Sequence, residues 1–501
     1  MHVTLLRVPT IVDNTASTAP VTPPIGLAYL KSVVNHYTDN ISIIDSVGNC
    51  PQIRSIKQGD HDCKLLGQTK DQIVNILDKE TDIILVSIMF TQDWLYTKEI
   101  LTFCRKKCKN AIIICGGEHI TAMPEYSLET TPEIDICVSG EGEAILNLLL
   151  KEFKENGSIN CSQLDSDSIH TRFSKTKSND VTRINDVNNI EWPDWDGFPL
   201  INYWEGNHSF GVALGNKTMP ILASRGCPYR CTFCSSPQMW TTRWQARDPK
   251  DLVKEMKIYI NKYEVTNFDF YDLTAIVKKE WIIDFCNLLL KENLKITWQL
   301  PSGTRSEAID KDVAILLKES GCCNMSYAPE SGSEEILIAI KKKVKLGRML
   351  SSMKTYVSQN MSIKANIMCG FPTEKWTHLF ESLSFITKVA FTGIDDLSIN
   401  QFSPYPGSEL YNEMIKDGSI ILNDEYFISL SYYSSMTNSK SYSKYLSNKE
   451  LIFYKYMGTI LFYLITFLTH PKRIFSVIAN VYKRNETNRL EKTLISFLNR
   501  A

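Results

Sequence analysis

Two hydrophobic rhythms divide the chain. Up to residue 155, short apolar runs of strand character alternate with stretches of helical spacing. Residues 2–6, 41–45, 83–87, 111–115 and 134–138 predict strands, and 25–34, 71–77, 94–104 and 144–153 predict helices between them. Buried strands separated by helices point to a doubly wound parallel sheet. A Rossmann- or flavodoxin-like layer is therefore expected over residues 1–155, with ligands at the C-terminal strand edge.

The second rhythm runs over residues 219–402. Strands are predicted at 219–224, 267–272, 295–300, 324–328, 362–368 and 396–401, and helices at 249–263, 279–292, 311–320, 334–357 and 377–391. Six βα units fit a partial (β/α)6 barrel of TIM type, with its chemistry at the C-terminal strand ends. Between the two rhythms, 156–186 is rich in Ser, Asn and Asp and reads as a linker or exposed insertion. The Trp- and Pro-rich run 191–200 reads as a strap between domains. The expected division is 1–155, a linker and strap over 156–215, a barrel over 216–430, and a mainly helical C-terminal region over 431–501.

Within that last region, 456–470 carries no charge when His470 is neutral, and Lys455, Lys472 and Arg473 bound it. It is shorter than the roughly 20 residues a bilayer span needs. A buried helix packed on the barrel is expected; the other reading is a helix lying in a membrane interface.

Composition narrows the class. A chain of 501 residues suggests about three domains, and 43% apolar with 22% charged residues excludes a collagen, a coiled-coil rod, a multi-span membrane protein and a disordered chain. With 55 basic and 56 acidic residues the net charge is −1, so no nucleic-acid partner is expected. The start, MHVTLLRVPT, does not read as a signal peptide, so a cytoplasmic protein with 14 reduced cysteines is expected, with membrane association through 456–470 as the variant reading.

The strongest chemical signal is Cys227-x3-Cys231-x2-Cys234, directly after the first barrel strand. Thiolates suit iron–sulfur clusters and zinc. Three cysteines on one loop can hold three irons of a cubane and leave the fourth open. A structural zinc site needs four protein ligands, and no local His or second CxxC completes that set. Three core cysteines fit poorly with a loop this rich in Gly, Pro and Arg. Cys104, Cys108, Cys322, Cys323 and Cys369 form no second set and read as small buried residues.

CxxxCxxC with an aromatic, Phe233, before its last cysteine resembles the radical S-adenosylmethionine (SAM) superfamily. The resemblance implies a [4Fe–4S] cluster whose open iron chelates SAM, and one-electron cleavage to methionine and a 5′-deoxyadenosyl radical. It also implies SAM contacts at strand ends. Asp272 stands where relatives contact the SAM amine, although the usual Gly-Gly-Glu is missing. Arg305 is either a carboxylate clamp or a surface ion pair. Glu330 and Ser331 fall at the ribose position, with helix capping as the other reading of the serine. Gly370 permits close approach to an adenine or simply makes a turn.

PPIGLAYL at 23–30, Ser87, CGGEHITAMPE at 115–125 and SGEGEA at 139–144 resemble the cobalamin-binding domain of one radical SAM subgroup. This implies corrin or nucleotide-tail contacts from Ser87, Gly116, Gly117, Gly140 and Glu141, with turns and helix-start charge as the plainer reading. His119 either approaches the corrin or is a loop histidine. The Asp-x-His-x-x-Gly element of His-ligated cobalamin proteins is absent, and Asp60-His61-Asp62 does not fit it. The nearest flavour is the subgroup of anaerobic magnesium-protoporphyrin monomethyl ester cyclase and related methylases. The resemblance implies a cobalamin-dependent radical SAM enzyme, foremost a C-methyltransferase, then a cyclase or oxidative rearrangement enzyme, then a non-catalytic cobalamin or redox sensor. Its expected partners are a small or lipid-like substrate and a one-electron donor such as flavodoxin or ferredoxin.

Overall fold

The computed structural model describes the chain except residues 16–20, 165, 174–180, 182, 207, 212–216, 305–308, 484–488 and 499–501. Its first layer is a six-stranded sheet ordered β2-β1-β3-β4-β5-β6: β1 (Val3–Arg7), β2 (Ile41–Asp45), β3 (Ile83–Ser87), β4 (Ile112–Gly116), β5 (Ile136–Val138) and β6 (Ile169–His170). The first five strands are parallel. Helices α1 (Ile25–Asn35), α2 (Trp94–Lys107) and α3 (Gly142–Asn156) are among those connecting them. Alternate residues of β1 serve different faces: Val3 and Leu5 join one apolar cluster, Leu6 the other. Chain order reverses between β1 and β3, which makes their C-terminal ends the switch point where ligands bind such layers.

Two elements depart from the sequence expectation. Thr10–Val12, Ile53–Gln58 and His61–Leu66 form a small antiparallel sheet, with a tight turn at Gly59-Asp60 ahead of His61. The stretch read as a linker supplies β6, which pairs antiparallel with β5 through Val138↔Ile169 and Cys137↔His170. Two paired residues leave no hydrophobic period to detect.

The second layer is the partial barrel. Its six strands follow chain order: β7 (Thr218–Ile221), β8 (Asn267–Phe270), β9 (Thr297–Thr304), β10 (Cys322–Glu330), β11 (Ser362–Cys369) and β12 (Asp396–Gln401). All are parallel, and β7 and β12 stay unpaired with each other, so the barrel is open. Helices α4 (Pro249–Tyr263), α5 (Lys279–Lys291), α6 (Lys311–Glu319), α7 (Glu334–Ala339), α8 (Leu346–Ser358) and α9 (Trp376–Phe391) cover it. The single helix expected over 334–357 is broken into α7 and α8. Lys341 takes a left-handed backbone (φ 54°), and the Lys342 ammonium is drawn to Glu330, 2.8 Å away.

After β12 the chain returns to the first layer. Tyr405 donates to Gln92 (2.6 Å), Asn438 donates to Asp13 (2.6 Å), and Phe427 and Leu430 join the cluster that contains Leu6. It then enters α10 (Asn448–Thr469), which starts well before the uncharged stretch because Ser447 and Glu450 form a capping box. Leu451, Tyr454, Lys455, Gly458, Phe462 and Thr466 of α10 are buried. Gly458 lets α10 approach β12 closely: a Cβ there would stand 2.5 Å from Ile399 Cδ1, and the isoleucine would have to move. The expectation of a helix packed on the barrel therefore holds for one face of α10. The amphipathic helix α11 (Lys472–Tyr482) follows.

Candidate functional site

Parallel register brings the C-terminal ends of the first-layer strands level: Arg7 pairs with Asp45 and Ser87, and Ser87 with Gly116. Ser87 is half-buried at this edge, and beyond it Met89 and Phe90 present exposed apolar surface. Arg7, which sequence reasoning passed over, donates to Thr22 O and to Tyr203 Oη (2.8 Å), while Tyr203 donates to Asp45 (2.5 Å). A cation inside an otherwise apolar strand was the available signal.

Gly116 leaves room on its Cβ side, with its nearest neighbour at 3.7 Å. Gly117 has φ 107° and lies against the Ile88 carbonyl, 2.5 Å from where a Cβ would stand, so the backbone just past β3 requires this glycine. Gly140 donates its N–H to Thr121 Oγ1 (3.0 Å).

Two residues carried over from the cobalamin resemblance are used otherwise. His119 is fully buried, 3.2 Å from Thr91 Oγ1 and 3.4 Å from Ser127 Oγ, with its ring centroid 4.5 Å from that of Trp94. Burial lowers its pKa to about 3, so it is a neutral histidine packed in the core of the first layer. Glu141 is also buried, and its carboxylate accepts from Arg225 (2.9 Å), Arg183 (2.7 Å) and Ile184 N (2.7 Å). It joins the two layers.

The cysteine loop leaves the barrel at the end of β7. Ser224–Arg225 pair antiparallel with Gln245–Ala246. Asp272 holds this stretch from behind, accepting from Ala223 N (3.0 Å) and Ser224 Oγ (2.5 Å), and burial pushes its carboxyl up to about 6. Both its oxygens are engaged with the strand end, so Asp272 positions the loop. Cys227, Cys231 and Cys234 are half-buried and in no disulfide. Cys234 N donates to Cys231 O (3.1 Å), and Thr232 N donates to Ile340 O (3.1 Å). Phe233 packs against Phe371, and Phe371 against Phe402. Burial pushes the Cys234 thiol up to about 11. A bound cation would offset that burial and favour thiolate.

The donor set fits a cluster better than a single ion. Among the described residues no three Cys, His, Asp or Glu side chains converge on one metal position, as zinc requires. An iron–sulfur cubane takes each thiolate at a different iron, so its ligands need no common point. The other cysteines are free; Cys104, Cys108, Cys322 and Cys369 are buried and Cys323 is half-buried.

Three of the remaining predicted SAM contacts meet at the far strand ends. Arg305 lies outside the described residues. Glu330 closes β10 past a register shift, with a left-handed backbone (φ 66°), and pairs with Lys342. Ser331 accepts from Ser333 N (3.1 Å) and lies 3.2 Å from Ser382 Oγ; the N-cap of α7 is Ser333, and no side chain caps that helix. At Gly370 (φ 89°) the nearest protein neighbour is Leu451 of α10, 2.9 Å from where a Cβ would stand. Sequence reasoning missed Glu374. It accepts from Gly370 N, its Oε1 is buried with no partner among the described residues, and burial pushes it up to about 7. An acid in the turn four residues after Gly370 was the signal.

The two layers meet at the two loops of interest. Arg225, two residues before Cys227, donates to Glu141 and to Glu143 (2.6 Å) at the start of α3 and lies 4.8 Å over the Tyr29 ring. Burial alone would raise the Glu143 carboxyl, but the Arg225 guanidinium outweighs it and leaves it below the ordinary value. Ser235, next to Cys234, donates to Glu118, next to Gly117. The glycine edge of the first layer and the cysteine loop of the second are thus in direct contact.

Residues 221–386 match the Radical SAM superfamily, and residues 11–150 match the B12 binding domain. An uncharacterized methyltransferase of Pyrococcus horikoshii is 26% identical over 404 residues, 80% of each chain. The anaerobic magnesium-protoporphyrin IX monomethyl ester cyclase of Cereibacter sphaeroides is 25% identical over 341 residues, 66% of this chain and 53% of its own. In fold, the chain is similar to the radical SAM methyltransferase TsrM of Kitasatospora setae with cobalamin and a [4Fe–4S] cluster bound. The TM-score is 0.62 at 14% identity, covering 83% of this chain and 78% of the other.

Proposed function

This chain is a radical SAM enzyme with a B12-binding domain, and from that premise we propose that it methylates an unactivated carbon of a small molecule. Its cofactors are a [4Fe–4S] cluster, SAM and cobalamin. When bound, the cluster supplies an electron to SAM and cobalamin supplies a methyl carrier.

The observation that carries the reading is the contact between Ser235 and Glu118, which sets the cysteine loop against the glycine edge. Both cofactors must reach one substrate atom, and effective chemistry needs reacting groups held at contact distance. In this scheme Cys227, Cys231 and Cys234 hold the cluster. Phe233 walls the loop with Phe371. Glu330 and Glu374 line the far strand ends. Ser87, Gly116 and Gly117 form the edge for cobalamin, and exposed Met89 and Phe90 offer apolar surface beside it. Asp272, Glu141 and Arg225 position these loops. The electron comes from a cytoplasmic donor of flavodoxin or ferredoxin type.

The test is turnover of reconstituted, reduced protein with candidate substrates and SAM. Methylation gives S-adenosylhomocysteine, 5′-deoxyadenosine and a product heavier by one methylene. Similarity to the cyclase supports a second reading, in which ring closure occurs with 5′-deoxyadenosine and no S-adenosylhomocysteine.

A further inference from the structure

Helix α10 docks one face on the barrel and turns a second apolar face outward. Ile460, Leu464 and Leu468 recur every four residues and are 55–73% exposed. Phe453 extends the stripe at its start, touching Trp376, which touches Phe380 on α9; both phenylalanines are exposed. Helix α11 repeats the pattern. None of its residues is fully buried, and Phe475, Ile478 and Tyr482 are 61–88% exposed on one face. Monomeric soluble proteins seldom expose apolar stripes this continuous.

Charge identifies the occupant. From Leu451 to Lys483 the sequence contains no Asp or Glu, in a chain whose overall charge is −1. Lys449, Lys472 and Lys483 are exposed at the ends of the apolar stripes. Arg473 bonds Gly393 O and Ile394 O and pairs with Asp395 (3.1 Å), which anchors the start of α11 to the barrel. Apolar stripes framed by lysines match an anionic lipid surface, with side chains in the acyl boundary and ammonium groups at the phosphates.

We propose that the outer faces of α10 and α11 seat the enzyme on an anionic membrane, with the helices lying in the interface. Length alone would let α10 cross a bilayer, but 33% of its most apolar window is buried in the protein. Spanning would extract Lys455, which donates to Ser435 O and Asn438 O, and would pull Gly458 from its contact with Ile399. The inference does not depend on the reaction assigned above.

The test is co-flotation of the reconstituted full chain with phosphatidylcholine vesicles, with and without phosphatidylserine. Binding is expected only with phosphatidylserine and is expected to fall as salt rises. The exposed triple substitution Ile460→Ser, Leu464→Ser and Phe475→Ser is expected to weaken it roughly tenfold or more. Lys472→Glu and Lys483→Glu are each expected to weaken it about fivefold or more. Circular dichroism of each variant checks that it stays folded. Failure of the folded wild type to float with anionic vesicles overturns the proposal. So does a vesicle-free dimer that the triple substitution dissociates, because a second copy would then cover the face.

Discussion

Arg225 Nη1 lies 2.9 Å from Glu141 Oε1, and the same guanidinium reaches Glu143 at 2.6 Å. One side chain of the barrel therefore pairs with both acids that open α3 of the first layer. Arg183, from the polar stretch before the barrel, completes the group by donating to Glu141 and to Trp240 O. All four side chains are nearly or largely buried.

Arg225→Ala leaves two carboxylates buried beside one remaining cation. The expected loss of stability is about 3–5 kcal/mol, read from denaturant unfolding of the full chain. The ion pair also gives a pH signature. Glu143 has a depressed folded pKa, so its stabilisation is present above the ordinary value of 4.5 and is lost as pH falls through the folded value. Glu143→Gln removes that acid limb.

Cys231→Ala, tested anaerobically after iron and sulfide reconstitution, is expected to lose the cluster's visible absorbance and most of its iron. Cobalamin retention should persist, since Ser87, Gly116 and Gly117 belong to the first layer and not to the cysteine loop. Zinc retained by the wild type in place of iron contradicts the assignment.

His119 supplies a separate acid limb. Its folded pKa, about 3, lies below the ordinary 6.5, so the folded state binds fewer protons and stability falls as pH drops from 6.5 toward 3. The limb is worth up to about 4–5 kcal/mol. His119→Gln is expected to flatten it while cobalamin binding stays unchanged. A large drop in cobalamin affinity would restore this histidine to the cofactor.

Glu374 acts with the opposite sign. Its folded pKa is raised from 4.5 to about 7, so the folded state binds the extra proton and stability falls as pH rises across that interval. The fall is about 3 kcal/mol, and Glu374→Gln is expected to abolish it. Urea midpoints of wild type and variant, compared at mildly acidic and mildly alkaline pH, read the difference directly.

Strand positions were legible because each βα unit carries its own apolar run; β2, β3 and β12 begin and end at the expected residues. The cysteine loop was legible because its spacing is local. What stayed hidden depends on distant partners. Glu141 looks like a helix-start acid until Arg225 arrives from 84 residues away. His119 looks exposed beside two glycines until Trp94 covers it. Arg183 sits in a stretch whose composition says solvent, yet its side chain is 6% exposed. The break between α7 and α8 depends on Glu330 attracting Lys342, a contact absent from any local pattern.

The return of the chain from β12 to the first layer bears on how the protein matures. Phe427 and Leu430 complete the apolar cluster begun by Leu6, and Asn438 ties back to Asp13. The N-terminal layer is thus sealed by residues that follow the whole barrel in the chain. A nascent first layer would carry an open apolar face, and cobalamin loading would have to wait until the segment around Phe427 and Leu430 has emerged. Expression of residues 1–155 alone should yield aggregates, while co-expression with the remainder should rescue a soluble pair.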